Sequence, residues 1–242
     1  MNKQFQRICA KGCVLIFGIA MIAGCASRPE IKASRVAVRR IAIISVASPR
    51  VVELDRSGLL PALAAGGIGA VVNHFDVQDK SAKFDARMTQ LRNELGGAMT
   101  AGLLRELRSS GFDAFVLTDV PRPADDPDDI DYATLHPDAD AILHVWITNV
   151  GVYAGWGDYL PRLNVTVKLI SSADQSELYS DYLYYGVEAK NKQKYWAVPS
   201  DPKYAFPSFK DLMNRADDAA EGLHAGAEAL ARRIAEELKG KL

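Results

Sequence analysis

Four histidines, His74, His136, His144 and His224, are the chain's first candidates for proton transfer or metal binding. None stands at metal-ligand spacing from another, and no H-E-x-x-H occurs. His144 falls in an alternating segment, where a buried structural role is expected, with pairing to an acid across a sheet as the other option. There is no G-x-S-x-G elbow to present a serine for acyl transfer. Gly66-Gly67-Ile68-Gly69 has neither the GK[ST] ending of a phosphate loop nor the third glycine of a dinucleotide loop. Asp125-Asp126-Pro127-Asp128-Asp129-Ile130-Asp131 offers the hard oxygens that calcium prefers, but not in the order of an EF-hand. A solvated acidic loop is the expectation. These residues point to no catalytic group, no metal site and no cofactor.

The cysteines say more. Lys3, Arg7 and Lys11 precede the apolar run Val14 to Ile22 with no acid among them, and the run ends in Ile22-Ala23-Gly24-Cys25. A basic start, a short apolar stretch and small residues form an export signal. The stretch falls short of the roughly 20 residues a spanning helix needs. The tetrapeptide resembles the lipobox of bacterial lipoproteins, and that resemblance implies that residues 1–24 are removed and that Cys25 carries a covalent lipid of the diacylglycerol and palmitate kind. Cys9 and Cys13 lie in the signal, so Cys25 would be the only thiol left, consumed by acylation in a compartment where a free thiol is a liability. An ordinary membrane anchor, or a signal cut at another site, is the alternative. Ala26 and Ser27 lack the aspartate that holds similar enterobacterial lipoproteins at the inner membrane, which implies an outer-membrane lipoprotein facing the periplasm.

Loss of residues 1–24 removes three positive charges, taking the formal charge from -1 to about -4. Such a chain has no basic surface for nucleic acid. With 48% of its residues apolar it can bury a full core. The expected organisation is a signal (1–24), a lipidated polar tether (25–40) and one α/β periplasmic domain (41–242).

The elements follow from periodicity. Ile41 to Ala47 is a short β-branched run of the kind that forms a central strand. Apolar residues from Phe84 to Leu107 keep a helical rhythm that Gly111 should stop, with Gly96, Gly97 and Gly102 marking close packing or a kink. Phe112 to Val120 is a second strand, and Tyr132 to Leu135 a short helical turn. In Ala141 to Val150, Leu143, Val145 and Ile147 share one face, and His144, Trp146 and Thr148 the other. Leu163 to Leu169 alternates in the same way, and the turn at 171–176 folds it back on Leu178 to Val187. Ser208 with Asp211 starts a long amphipathic helix over 207–239, with a break expected near Gly222 or Gly226. The fold class is α+β: a mixed, largely antiparallel sheet flanked by helices, with a long C-terminal amphipathic helix.

Asp138-Ala139-Asp140-Ala141-Ile142-Leu143 after a short helix, then the hairpin from Leu163 to Ser180, resembles the superfamily that includes the curli-secretion lipoprotein CsgG, the TolB amino-terminal domain and the penicillin-binding-protein activator LpoB. The resemblance covers roughly 41–187 and implies a fold and an envelope setting, with no catalytic residue. Two segments depart from it, the apolar insert 51–75 and the stretch 151–161.

Those departures hold the candidate interaction surface. Leu59 to Val72 runs 14 residues without a charge or a polar side chain, and Ile68 is its probe position. It is read as core, subunit interface or membrane contact. Tyr153, Trp156 and Tyr159 sit in an expected loop, where aromatic side chains suit a partner or glycan. The expected function is that of a non-enzymatic, lipid-anchored scaffold or accessory factor of an envelope assembly or export machine. Its expected partners are the membrane, further copies of itself or another envelope protein. A pore-forming secretion lipoprotein and a periplasmic ligand-binding protein or hydrolase around His144 and 151–161 are the alternatives.

Overall fold

The structure is a computed structural model that describes residues 37–55, 68–154, 157–186 and 197–242, without the side chains of 55–77. Cys25, the export signal and Trp156 lie outside the described residues; of the expected tether only 37–40 are described, with Val38 buried and Arg40 opening β1.

The strands are β1 (Arg40–Ile44), β2 (Glu53–Asp55), β3 (Asp113–Leu117), β4 (Ala141–Ala154), β5 (Tyr159–Ser171), β6 (Glu177–Tyr185) and β7 (Ala197–Val198). The helices are α1 (Ile68–Arg87), α2 (Thr89–Ser109), α3 (Phe209–Asn214) and α4 (Ala216–Lys241). The sheet runs β3-β1-β4-β5-β6-β7, with β2 also paired to β4. Parallel pairs join β1 to β3 and β4, β2 to β4, and β6 to β7, while the long β4-β5 and β5-β6 pairs are antiparallel. This is the α+β mixed sheet with flanking helices that the periodicity predicts.

One face of the sheet carries the core. Ile41, Ile43, Leu143, Val145, Val165 and Val167 point into it with Leu95, Met99 and Leu103 of α2 and Leu223, Leu230 and Ile234 of α4, all at 1% exposure or less. Gly226 matters here, because a Cβ there would lie 2.6 Å from the Tyr185 ring, so its absence lets α4 sit flush on β6.

Three boundaries and two short strands differ from the sequence expectation. The helix expected from Phe84 to Gly111 is divided at Met88, whose N–H is shared by the carbonyls of Phe84 and Asp85, both at 3.0 Å. Gly111 does end α2 in the left-handed region, φ 99°. The carboxy-terminal helix breaks at Arg215 (φ -116°, ψ 36°), not at Gly222 or Gly226, which stay helical because they are packing positions. Ser208 caps α3 as expected, accepting from the Asp211 N–H at 3.0 Å. The stretch 151–161 is largely strand: β4 runs on to Ala154 and β5 starts at Tyr159, because Val150, Val152 and Ala154 continue the buried alternation and β2 pairs along 151–153. The strands β2 and β7, three and two residues long, carry no periodicity to read.

Candidate functional site

Among the described residues the second face of the sheet is covered at one end. There Ile130 and Leu135 pack on Ile44 and Ile142 as a small separate core. The segment that supplies them includes the acidic run, strapped down by two arginines. Arg50 Nη2 donates to the carbonyls of Ala124 and Asp125, both at 3.0 Å, and Arg122 donates to the carbonyls of Pro127, at 2.6 Å, and Ser45. Burial pushes the Asp128 carboxyl above its usual range, against the pull of Arg122 at 3.6 Å. Beside this segment Arg50, Glu53, Asp126, Asp128 and Asn149 line a cleft of about 250 Å³. Its floor is a bulge in β4, where the register shifts between Ile147 and Asn149. Arg162 Nε donates to Asn149 Oδ1 and Asn149 Nδ2 to Glu53 Oε2, each at 2.6 Å, tying β2, β4 and β5 together. Among the described residues no group of three His, Cys, Asp or Glu side chains is arranged to hold a metal ion.

His144 lies at the boundary of the covered end, at 0% exposure. Its Nδ1 shares a 2.8 Å hydrogen bond with the Tyr132 hydroxyl, and Nε2 has no hydrogen-bond partner among the described residues. Its partner is therefore a tyrosine, and its neighbour in the adjacent strand is Lys168 rather than an acid. Burial, with Arg122 and Lys168 nearby, pushes the imidazole down to about 4, and burial pushes the Tyr132 phenol up to about 12. His144 is thus a neutral structural group at neutral pH.

A pH dependence follows. The unfolded chain takes up a proton at an ordinary histidine value near 6.5 and the folded chain only near 4, so stability falls as pH drops through that window and levels off below it. The loss is at most about 3 kcal/mol. Urea titrations of wild type and His144→Gln at pH 7 and pH 4.5 should show wild type losing more; parallel losses would mean that the histidine is not held neutral.

Beyond His144 the second face has no helix packed on it among the described residues. Three ladder rows cross it: His144-Lys168-Ser180, Trp146-Thr166-Tyr182 and Asn149-Asn164-Tyr184. Trp146 is half-buried, stacked 4.8 Å from the His144 ring with Lys168 Nζ 5.9 Å from its own. Tyr182 is 59% exposed. The result is a polar and aromatic face, buried at Thr166, half-buried at Trp146 and Lys168 and exposed at Tyr182, able to stack and to make hydrogen bonds.

The sequence candidates scatter. Tyr159 is buried, 3% exposed, and its backbone bridges Phe206, so it belongs to the core and not to a contact surface. Tyr153 is half-buried in β4, with the Arg162 guanidinium 5.6 Å from its ring. Ile68 opens α1 and its side chain is outside the described residues. Trp146, Lys168 and Tyr182 are the face residues that the sequence reading did not unite. The signal was the shared parity of Asn164, Thr166 and Lys168 with Trp146, once β4 and β5 are set antiparallel.

No family model and no curated protein matches the chain. Solved structures similar to it include the PelC dodecamer from Paraburkholderia phytofirmans, at 11% identity over 84% of this chain and 88% of that one, TM-score 0.39. Protein XCC0632 from Xanthomonas campestris is similar at 11% identity over 84% and 89%, TM-score 0.40. Lipoprotein GNA1162 from Neisseria meningitidis is similar at 14% identity over 74% and 96%, TM-score 0.28.

Proposed function

We propose that this chain is a non-enzymatic, lipid-anchored envelope protein that serves as scaffold or accessory factor of an assembly or export machine and associates with its own copies. Residues 1–24 are its signal, Cys25 its lipid site, and the domain faces the periplasm from the outer membrane. The observation that carries the reading is the second sheet face, where half-buried Trp146 and Lys168 stand beside the exposed Tyr182. Aromatics beside polar groups are the composition of protein contact sites. Tyr and Trp give large contact area with little side-chain entropy to lose.

The test is crosslinking in intact cells, pull-down and mass spectrometry, for wild type and for Trp146→Ala with Tyr182→Ala. Wild type should capture an envelope protein, and the double variant should lose at least about tenfold of that capture at an unchanged melting temperature, as removal of a contact hot spot does. Equal capture by a folded variant would place the contact elsewhere. Turnover of a small substrate by the purified protein would favour the hydrolase reading.

A further inference from the structure

The chain leaves β3 at Asp119, in the left-handed region (φ 59°), and rejoins the sheet at Asp140, whose N–H donates to the Arg40 carbonyl at 2.9 Å. Between these points the segment 119–139 is fastened to the second face through side chains. Its backbone–backbone hydrogen bonds stay within it, as in Ile130 N–H to the Asp128 carbonyl at 3.1 Å and Leu135 N–H to the Tyr132 carbonyl at 3.0 Å. Arg122, Arg50 and the Tyr132 hydroxyl make the polar attachments, with Asp138 paired to Arg40 at the base. Ile130 and Leu135 make the apolar one, and the core they form on Ile44 and Ile142 shares no residue with the core on the other face. An element with so little buried apolar surface and no ladder to the sheet can open while the rest of the domain stays folded.

His144 lies beneath this segment. Tyr132 and Arg122 of the segment face it, and so does Lys168 from the adjacent strand. Trp146 stacks on the ring from its own strand. The acids nearby, Asp128, Asp129 and Glu177, act on the Tyr132 hydroxyl, and among the described residues none is hydrogen-bonded to the imidazole. A proton on the closed His144 therefore adds a cation beside Arg122 and Lys168 and leaves Nε2 a donor without an acceptor. Lifting the segment removes Tyr132 and Arg122 and admits water to the ring, so the proton favours the open form. Asp128 acts in the opposite direction, because burial makes its carboxyl hold a proton more readily when closed. The histidine prevails, since its side chain is wholly buried whereas that of Asp128 is 23% exposed and beside Arg122.

We propose that 119–139 is an acid-released strap: a proton on His144 detaches it from the sheet, baring Ile44 and Ile142, while the main core stays folded. The core on the other face takes no residue from the strap, so release leaves the packing of α2 and α4 on the sheet as it is. The open form takes up the proton near 6.5 and the closed form only near 4, so opening grows as pH falls through that window and levels off below it. Release adds an apolar patch to the second face beside Trp146, which makes the strap a pH-dependent cover.

The experiment is amide hydrogen exchange read by mass spectrometry on the full-length chain in detergent, at pH 7 and pH 4.5, corrected for the pH dependence of chemical exchange. In wild type the opening constant of peptides across 119–139 should rise at least about tenfold from pH 7 to pH 4.5, while peptides of β4 and β5 stay protected. His144→Gln should remove most of that rise. Strap and β4-β5 peptides losing protection together would mean that the domain opens as one unit, and the strap would fall. No rise in wild type would overturn the release. A rise kept in His144→Gln would overturn His144 as its trigger. If His144→Gln does not fold, Tyr132→Phe replaces it. Loss of the hydroxyl should open the strap more at pH 7 and leave β4 and β5 protected, and unchanged opening would show that this bond does not hold the strap.

Discussion

Leu230→Asp is expected to cost the folded chain about 3–5 kcal/mol, enough to consume much of the 5–15 kcal/mol that holds a typical domain together. Leu230 is 0% exposed, in the middle of α4, on the stripe formed with Leu223, Ala227, Ile234 and Leu238. The substitution removes the apolar side chain from a site that cannot collapse, because α2 and the sheet hold its walls. It also asks a carboxylate to leave water without a partner, and the side chain will protonate or the helix will undock before that happens. Glu236→Gln is the matched control. Glu236 is exposed, and its contact with Arg233 is 4.0 Å long, a surface pair worth less than about 1 kcal/mol. Urea unfolding of the two variants should therefore separate widely. Equal midpoints would mean that α4 is not docked through this stripe.

Leu230 was identifiable from sequence alone because a helix declares its buried face over many turns. The same holds for the strands with a clean two-residue alternation, Leu163 to Leu169 above all. What escaped has a common cause. β2 and β7 exist because a neighbouring strand offers hydrogen bonds, and three or two residues hold no pattern of their own. The stretch 151–161 looks like a loop because Gly151, Gly155, Gly157 and Pro161 are turn residues by habit. Yet Gly151 is in a strand, with the Glu53 carbonyl of β2 2.0 Å from where its Cβ would stand, so the glycine marks a backbone approach and not a turn. That misreading moved Tyr159 from the core to an imagined surface.

The second sheet face was half legible. His144, Trp146 and Thr148 share a parity that the sequence shows, but which neighbours they gain depends on a register set by the hairpin and the β4 bulge. One shifted residue would send Lys168 and Tyr182 to the core side. Aromatic content therefore named the chemistry of a surface without naming its members.

Cys25→Ser is expected to abolish acyl labelling and leave a precursor that keeps its 24-residue signal. The lipid is transferred to a thiol, and serine's hydroxyl is too weak a nucleophile at neutral pH to replace it. Without the lipid no cleaved, anchored form can accumulate. Membrane attachment should then depend on the uncleaved apolar stretch alone, since among the described residues no helix is long and apolar enough to cross a membrane. One acyl chain binds a bilayer only marginally, so a protein built to stay on the membrane needs the several chains that a lipidated cysteine carries. The domain itself should not notice the change, because Cys25 precedes β1 by a polar tether, and the melting temperature should match wild type. The discriminating measurement is metabolic labelling with a palmitate analogue beside the size on a denaturing gel. A variant of mature size, released without label, would show that the signal is cut elsewhere and that Cys25 is incidental.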